Sequence, residues 1–184
     1  MSILQNLNSS SDAELLAEFA NSGSDAAFAE MVRRHLPLVL AVTRRRLGNS
    51  GLAEDAAQQV FIALSRRLRK RAAIPCLPAW LQKAAVYEAS GIARGEARLR
   101  RRAGQVEGHW QSESSPDSAL GLDEALAALP ERDREILMLH HFEKLPFAQV
   151  AQRLGITEAA AQRRGHRALE KMAGILRSQG RDHD

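Results

Sequence analysis

Residues 147–172 read FAQVAQRLGITEAAAQRRGHRALEKM and indicate two helices joined by a short turn. Gly155 stands where a left-handed residue commonly ends a helix. In the second helix, a period of 3.6 residues places Ala161, Gly165, Ala168, Leu169 and Met172 on one face. Small residues inside and cationic residues outside are typical of a helix-turn-helix whose second helix enters the DNA major groove. The alternative is an αα-hairpin with a solvated charged face.

The outer face and flanks of this second helix carry the candidate DNA-binding side chains. They are Gln162, Arg163, Arg164, His166, Arg167 and Lys171. Arginine can bind guanine through O6 and N7, and glutamine can pair with adenine. N-terminal residues of a groove-reading helix reach base edges, whereas later ones meet phosphate. We therefore expect Arg163, with Gln162 beside it, to read bases, and Arg167 and Lys171 to add charge.

The composition favours an all-α protein. Aromatic residues make up only 4% of the 184 residues, while alanine and leucine are frequent. The one cysteine, Cys76, excludes an internal disulfide and suits a reducing compartment. We find no apolar run long enough to span a membrane and no signal peptide at the N-terminus, so we expect a soluble, cytoplasmic protein.

Charge is distributed in blocks along the chain. Residues 1–32 and 103–129 contain no Lys or Arg, whereas residues 33–102 contain 16 Lys and Arg against 4 Asp and Glu. The net charge is +4. A basic block between two acidic segments indicates a surface for a polyanion.

The order of predicted elements indicates two small helical domains joined by a flexible linker. Ser11 and Glu14 form a capping box that begins a short helix. Further helices are predicted over about 25–47, 52–70 and 79–102. A kink is expected at Pro37 in the first of these, and a proline-containing loop over 71–78 separates the last two. Residues 103–121 are rich in Gly, Gln, Ser and Glu and are predicted to be the linker. This places the domains at 1–102 and 122–184.

No catalytic or metal-binding pattern competes with nucleic-acid binding. The six histidines are scattered, and His140 and His141 have no cysteine partners and point in different directions on a helix. There is no Walker loop and no nucleotide fingerprint. We expect no cofactor, no metal and no enzymatic activity.

Three segments make the chain recognisable as a whole. AFAEMVRRHLPLV (27–39) and LAEDAAQQVFIAL (52–64) precede ALAALPERDREILMLHHFEKLPFAQVAQRLGI (125–156). In this order and spacing they resemble the two conserved domains of sigma factors of the extracytoplasmic-function type, small members of the sigma-70 family. The resemblance covers about 11–102 and 120–176. It implies a protein that binds core RNA polymerase, directs it to promoter DNA and helps to separate the strands.

The resemblance also implies where the polymerase binds. In the family, the helix containing LAEDAAQQVF packs on a coiled coil of the polymerase, and the matching positions are Asp55, Gln58 and Phe61. Asp55 and Gln58 lie on one face of a helix, while Phe61 leans inward. An acidic group and an amide can meet a partner helix through charge-assisted hydrogen bonds. A plain helix-terminal charge is the alternative for Asp55.

The loop and helix that follow resemble the part of the family that holds the minus 10 promoter element and catches a flipped base. The matching candidates are Arg69, Lys70, Arg71, Trp80, Lys83, Arg94 and Arg98. Trp80 could instead be a core residue. Family members commonly carry Asn and Asp where this chain has Tyr87 and Gly91. In the helix that begins near Thr157, their Gly-Thr-Val-Lys stretch is residues 159–162 here, while Arg and Gln side chains keep the chemistry of base reading.

Two other classes of function remain open on the sequence. A free-standing helix-turn-helix regulator would not need LAEDAAQQVF or a second basic surface. An interaction module whose basic face binds an acidic protein would not retain DNA. Many members of the resembled family are held inactive by an anti-sigma protein, which makes such a protein a candidate partner.

Overall fold

The computed structural model describes residues 10–102 and 117–181, and these residues are helical throughout apart from short connections. They contain no strand, so the all-α prediction is confirmed for this part of the chain. The helices are α1 Asp12–Ser22, α2 Asp25–Leu47, α3 Gly51–Arg69, α4 Leu77–Arg102, α5 Asp117–Ala128, α6 Glu131–Leu137, α7 Phe147–Leu154 and α8 Glu158–Arg181. A π-helical segment, Met138–Phe142, continues α6.

Helices α1 to α4 form the N-terminal bundle. The predicted capping box begins α1, because Glu14 N–H donates to the Ser11 hydroxyl at 3.3 Å and Ser11 N–H donates to the Glu14 carboxylate at 2.6 Å. Burial of the Leu15 side chain fixes α1 against the bundle. Helix α2 continues through Pro37, which lies inside it. Proline removes one backbone hydrogen bond there without ending the helix.

The core of this bundle is a set of aliphatic side chains from three long helices. Met31 and Val39 of α2, Val60 and Leu64 of α3 and Leu81 of α4 are each 0% exposed. They recur at helical spacing, so each helix presents one apolar face to the other two. This packing fixes how α3 and α4 are oriented, and therefore how their solvent-facing sides lie relative to each other.

The π-helical segment turns the chain between α6 and α7. Its wider turn is closed by a hydrogen bond of 3.0 Å from Glu143 N–H to the Met138 carbonyl. Lys144 follows in the left-handed region with φ 58°. The His140 ring then stacks on Phe147 with a centroid separation of 3.9 Å. A local backbone hydrogen-bond shift of this kind leaves no signature in hydrophobic periodicity.

Helices α7 and α8 form the predicted helix-turn-helix. Gly155 ends α7 with φ 63°, and the Thr157 hydroxyl accepts from Ala160 N–H at 3.2 Å at the start of α8. Ala161 and Ala168 are 0% exposed, as the periodicity predicts. Leu169, which we expected on the same inner face, is 38% exposed. That expectation was wrong, because the buried stripe of α8 is narrow.

Gly165 provides a test of how closely α7 and α8 approach. A Cβ at this position would lie 3.0 Å from Phe147 Cε1 and 3.4 Å from Ile136 Cγ2. The Phe147 ring is stacked on His140 and has little room to move. We expect Gly165→Ala to destabilise the fold by about 1 to 2 kcal/mol, since overpacking outweighs the gain in helix propensity.

Gly174 of the same helix is the matched control for this substitution. A Cβ there would meet nothing within 4 Å. Gly174→Ala should therefore raise the free energy of unfolding by about 0.5 to 1 kcal/mol through helix propensity alone. Urea unfolding followed by circular dichroism measures both. Stabilisation by both variants would mean that the α7–α8 contact is looser than described.

The two domains are in contact through charged groups. Arg45 near the end of α2 donates to both Asp123 carboxylate oxygens, at 2.6 and 2.9 Å. Its neighbour Arg46 pairs with Glu124. Gln82 Nε2 donates to the Asp123 carbonyl at 3.0 Å. Helix α5 is thereby attached to the exposed end of α2 and to the side of α4.

Apolar packing also continues from one domain into the other. Ala127 and Leu139 belong to the same buried cluster as Leu77 and Val86 of α4. Helix α5 begins at Asp117, so residues 117–121, which we expected in the linker, are helical. The rest of the predicted linker, 103–116, lies outside the described residues.

Cys76 lies just before α4 and is 4% exposed. Burial raises the pKa of its thiol to about 12. The thiol is therefore protonated at neutral pH and packs as a small apolar group. Within 10–102 and 117–181, no helix is both long and apolar enough to cross a membrane.

Candidate nucleic-acid interface

The outer face of α8 carries a row of exposed polar side chains. Gln162, Arg163, His166 and Arg167 are exposed, and Arg164 is half-buried. Gln162 Nε2 donates to Glu158 Oε1 at 3.3 Å, and Arg167 Nε donates to the Arg163 carbonyl at 3.4 Å. The helix thus presents cations and an amide to solvent, opposite its buried alanine stripe.

Lys171 differs from the other candidates on α8. Its Nζ lies 2.6 Å from Asp133 Oδ2, and the Asp133 carboxylate is only 10% exposed. The ion pair compensates the charge of Lys171 and ties α8 to the first turn of α6. A phosphate would have to compete with Asp133 for this ammonium group.

A groove between α6 and α8 adds one residue that sequence reasoning missed. Arg132 is exposed in the first turn of α6 and lines this groove together with Arg164 and Arg167. Its position just after Pro130, at the start of a helix, was visible in the sequence. The sequence could not show that the first turn of α6 lies beside α8.

The candidate polymerase-binding residues on α3 do not all lie on the surface. Asp55 and Gln58 are exposed and lie three residues apart on one helical face. Phe61 is 7% exposed and belongs to the buried cluster of the bundle. In this conformation Phe61 supports the surface from inside, so a partner could contact little of its ring.

The connection from α3 to α4, residues 70–76, carries part of the second candidate surface. Arg69, Lys70 and Arg71 are exposed. Arg71 adopts a left-handed backbone with φ 52°. A residue other than glycine in this region is strained, and such strain is found where the surrounding structure holds a loop in one particular shape.

The first turns of α4 hold the aromatic candidates. Trp80 is half-buried and packs against the bundle core, which is the core role that we had left open for it. Lys83 is half-buried and its Nζ lies 5.9 Å from the centroid of the Tyr87 ring. Tyr87 is 63% exposed. Sequence reasoning had treated Tyr87 only as a departure from a family pattern, yet it offers an exposed ring for base stacking.

The remaining candidates of α4 stand apart from this cluster. Arg94 and Arg98 are exposed, but eleven residues separate Lys83 from Arg94, or about 16 Å along a helix axis. Trp80 and Lys83 thus lie one helical turn apart at the start of α4, next to the loop that precedes it, and Arg94 and Arg98 extend the positive charge towards the end of α4.

Comparisons with known proteins cover both domains. Residues 31–103 match the model of Sigma-70 region 2, and residues 119–172 match the model of Sigma-70, region 4. RNA polymerase sigma factor CarQ of Myxococcus xanthus is 29% identical over 160 residues, which are 84% of this chain and 91% of CarQ. ECF RNA polymerase sigma factor SigF of Caulobacter vibrioides is 32% identical over 138 residues, which are 73% of this chain and 76% of SigF.

Among solved structures, the chain is similar to CnrH in its complex with the cytosolic domain of CnrY. The identity is 24%, the TM-score is 0.39, and the match covers 91% of this chain and 97% of that one. Both conserved regions are present in their family order, and SigF is 32% identical across 73% of this chain. The chain therefore belongs to the extracytoplasmic-function sigma factors of the sigma-70 family.

Proposed function

We propose that this sigma factor binds core RNA polymerase through the exposed face of α3 and places it on promoters that two separate surfaces read. The loop over 70–76 and helix α4 would hold the minus 10 element, and α8 would read the minus 35 element. The observation that carries the proposal is the presence of both conserved regions in one chain, each with an exposed basic surface. Family membership favours this function over a free-standing regulator.

The proposed binding functions are divided between the two predicted domains. Residues 1–102 would bind polymerase and the minus 10 element, and residues 122–184 the minus 35 element, with 103–121 between them. The start of α5 at Asp117 supports moving the beginning of the C-terminal domain a few residues earlier. Surfaces on separate domains can be altered independently, so their contributions can be measured one at a time.

For the polymerase contact we propose Asp55 and Gln58 as the touching residues and Phe61 as their support. The two polar groups are exposed on one face of α3, whereas Phe61 packs into the buried cluster of the bundle. A rigid helix that presents a carboxylate and an amide suits charge-assisted recognition of a partner helix.

For the minus 10 element we propose a single-stranded DNA surface. The cations are Arg69, Lys70, Arg71, Lys83, Arg94 and Arg98, and the exposed Tyr87 ring lies beside Lys83. A groove of positive charge with aromatic stacking partners is the usual chemistry of single-strand binding. Trp80 would support this surface from the inside, because it packs against the core.

For the minus 35 element we propose that Arg163 and Gln162 read bases and that Arg164, His166 and Arg167 contact the backbone. Lys171 would add less charge than a free lysine, since Asp133 already pairs with it. Arg132, at the edge of the same groove, is a further candidate for a phosphate contact.

Arg163→Ala tests base reading. On the cognate minus 35 element the variant should lose about 1 to 3 kcal/mol of binding free energy, and discrimination at one base pair should relax, because a bidentate contact to a base is removed. Fluorescence anisotropy on cognate and scrambled duplexes, at several salt concentrations, measures both effects in the full-length chain.

The matched control is Arg177→Ala. Arg177 is also exposed on α8 but lies fourteen residues further on, about 21 Å along the axis. It should change cognate binding by less than about twofold. If Arg163→Ala weakens cognate and scrambled duplexes equally, Arg163 contacts phosphate and the assignment of base reading is wrong.

The remaining proposals rest on the family alone. The chain would work in the cytoplasm, where core polymerase acts, and would contribute binding energy without catalysing a chemical step. We propose no cofactor and no metal. An anti-sigma protein is proposed as a regulatory partner, and its identity would come from affinity capture with the full-length chain as bait.

The proposed function is tested by reconstitution. Purified chain is mixed with core RNA polymerase and a genomic promoter library, and the transcripts are sequenced. Transcripts that start downstream of a shared pair of elements, only when the chain is present, are expected. Sequence-specific DNA retention by the chain without any initiation would instead indicate a free-standing regulator. A chain that does not retain DNA, and whose binding depends only weakly on salt concentration, would indicate an acidic protein partner.

A further inference from the structure

Arg67, which our sequence reasoning passed over, contacts both segments that follow α3. Its Nη2 donates to the Ala73 carbonyl in the loop at 3.0 Å. Its Cζ lies 6.0 Å from the centroid of the Trp80 ring, within the range of a cation–π contact. One side chain near the end of α3 therefore holds the loop and the first turn of α4 together.

The loop depends on this side chain for its middle part. Backbone hydrogen bonds hold its beginning, from Arg71 N–H to the Leu68 carbonyl at 2.8 Å and from Ala72 N–H to the Arg67 carbonyl at 3.3 Å. Ala73 is then held by the Arg67 guanidinium. Because Arg71 is strained, the loop needs such outside support to keep its shape.

One hydrogen-bond donor of Arg67 is unsatisfied. Its Nε–H is buried and has no acceptor within the part of the chain that the structure describes. Buried donors in folded proteins nearly always have an acceptor, so an exception calls for an explanation. Strained and unsatisfied groups of this kind cluster at functional sites.

The neighbouring cations lack this combination. Arg66, Arg69 and Lys70 are exposed, whereas Arg67 is half-buried between the loop and Trp80. The side chain of an exposed cation can adopt many orientations, so it contributes charge without a fixed geometry. A planar guanidinium that lies over a ring and donates to a carbonyl contributes geometry, which lysine cannot reproduce.

We propose that Arg67 is a positioning residue for the unpaired strand of the promoter. Its guanidinium keeps the loop over 70–76 and the Trp80 ring in one arrangement, on which the strand binds. The inference rests on the proposed minus 10 function of this surface and adds to it the residue that sets its shape.

The test uses holoenzyme assembled from core polymerase and the full-length chain on the promoter that the wild-type chain recovers from the library. The lifetime of the open complex is measured with 2-aminopurine in the non-template strand after addition of a polyanionic competitor. A lifetime does not depend on the fraction of folded protein. It therefore separates a role in positioning the strand from a loss of stability.

We expect Arg67→Ala to shorten the lifetime about tenfold, and Arg67→Lys to do nearly the same, because the ammonium keeps the charge but loses the planar geometry. Arg66→Ala is the control with an equal change in charge, and it should stay within about twofold of wild type. Binding of the minus 35 duplex should be unchanged in all three variants, since α8 is not altered.

Two results would overturn the inference. If Arg67→Ala behaves like Arg66→Ala, the side chain supplies only charge. If Arg67→Lys matches wild type, the planar geometry has no role. A wild-type chain that recovers no promoter would be a different failure, since the proposed function would then be wrong before Arg67 is considered.

Discussion

Replacing Arg134 by methionine should lower the free energy of unfolding by about 3 kcal/mol. Arg134 is 3% exposed, and its guanidinium donates to the carbonyls of Ala127 at 3.2 Å, Leu129 at 2.9 Å and Ala79 at 3.3 Å. These bonds join the end of α5 to α6 and connect both to the start of α4. Methionine fills similar space but leaves three carbonyl oxygens without this donor.

Two effects oppose each other in this variant. Burial lowers the pKa of the Arg134 guanidinium, which reflects the cost of desolvating its charge, and methionine removes that cost. Each buried carbonyl that loses its donor costs about 1 to 3 kcal/mol. With three carbonyls affected, the loss should exceed the gain.

Urea unfolding of the full-length chain measures the difference, and Arg132→Met is its control. Arg132 lies two residues away in the same helix but is exposed, so its replacement should change the free energy of unfolding by less than about 0.5 kcal/mol. Equal midpoints for the Arg134 and Arg132 variants would show that the buried guanidinium is balanced by its own desolvation.

Asp55→Arg should weaken binding of the chain to core RNA polymerase about a hundredfold. The carboxylate is exposed on α3 and is the contact that we propose for the polymerase, so reversal of its charge would replace an attraction by a repulsion of several kcal/mol. Gln58→Ala removes one hydrogen-bonding group without introducing repulsion, so its effect should be smaller, about tenfold. Titration of labelled chain with core enzyme measures both.

Asp25→Arg is the control for charge reversal. Asp25 is likewise exposed on a helix, in the first turn of α2, but it is not in the matched motif. It should bind core polymerase within about twofold of wild type. Similar losses for Asp25→Arg and Asp55→Arg would mean that net charge alone governs binding, and the α3 surface would lose its assignment.

Local features of this chain were predictable because they depend on residues that are near in sequence. The capping box at Ser11, the left-handed Gly155 and the cap at Thr157 each involve partners within a few positions. The outward direction of Arg163 and the burial of Ala161 follow from the 3.6-residue period in the same way.

Periodicity gave less information about the width of a buried stripe. Ala161 and Ala168 are fully buried, and Met172 and Ile175 pack against a small cluster with Leu129 and Leu137. Leu169 lies about 100° around the helix from Ala168 and is 38% exposed. Where a stripe ends depends on which helices lie against it, and this cannot be derived from the helix alone.

The sequence by itself determined most of the helices, the helix ends at Ser11 and Gly155, the exposed basic face of α8 and the family, because each is set by neighbouring residues or by motifs in a fixed order. The tertiary structure decided the pairing of Lys171 with Asp133, the contact of Arg67 with Trp80 and the attachment of α5 to α2 through Arg45 and Asp123. Each of these joins residues on different helices. Their approach results from the packing of whole helices, which minimises exposed apolar area across the domain, and no local pattern encodes it.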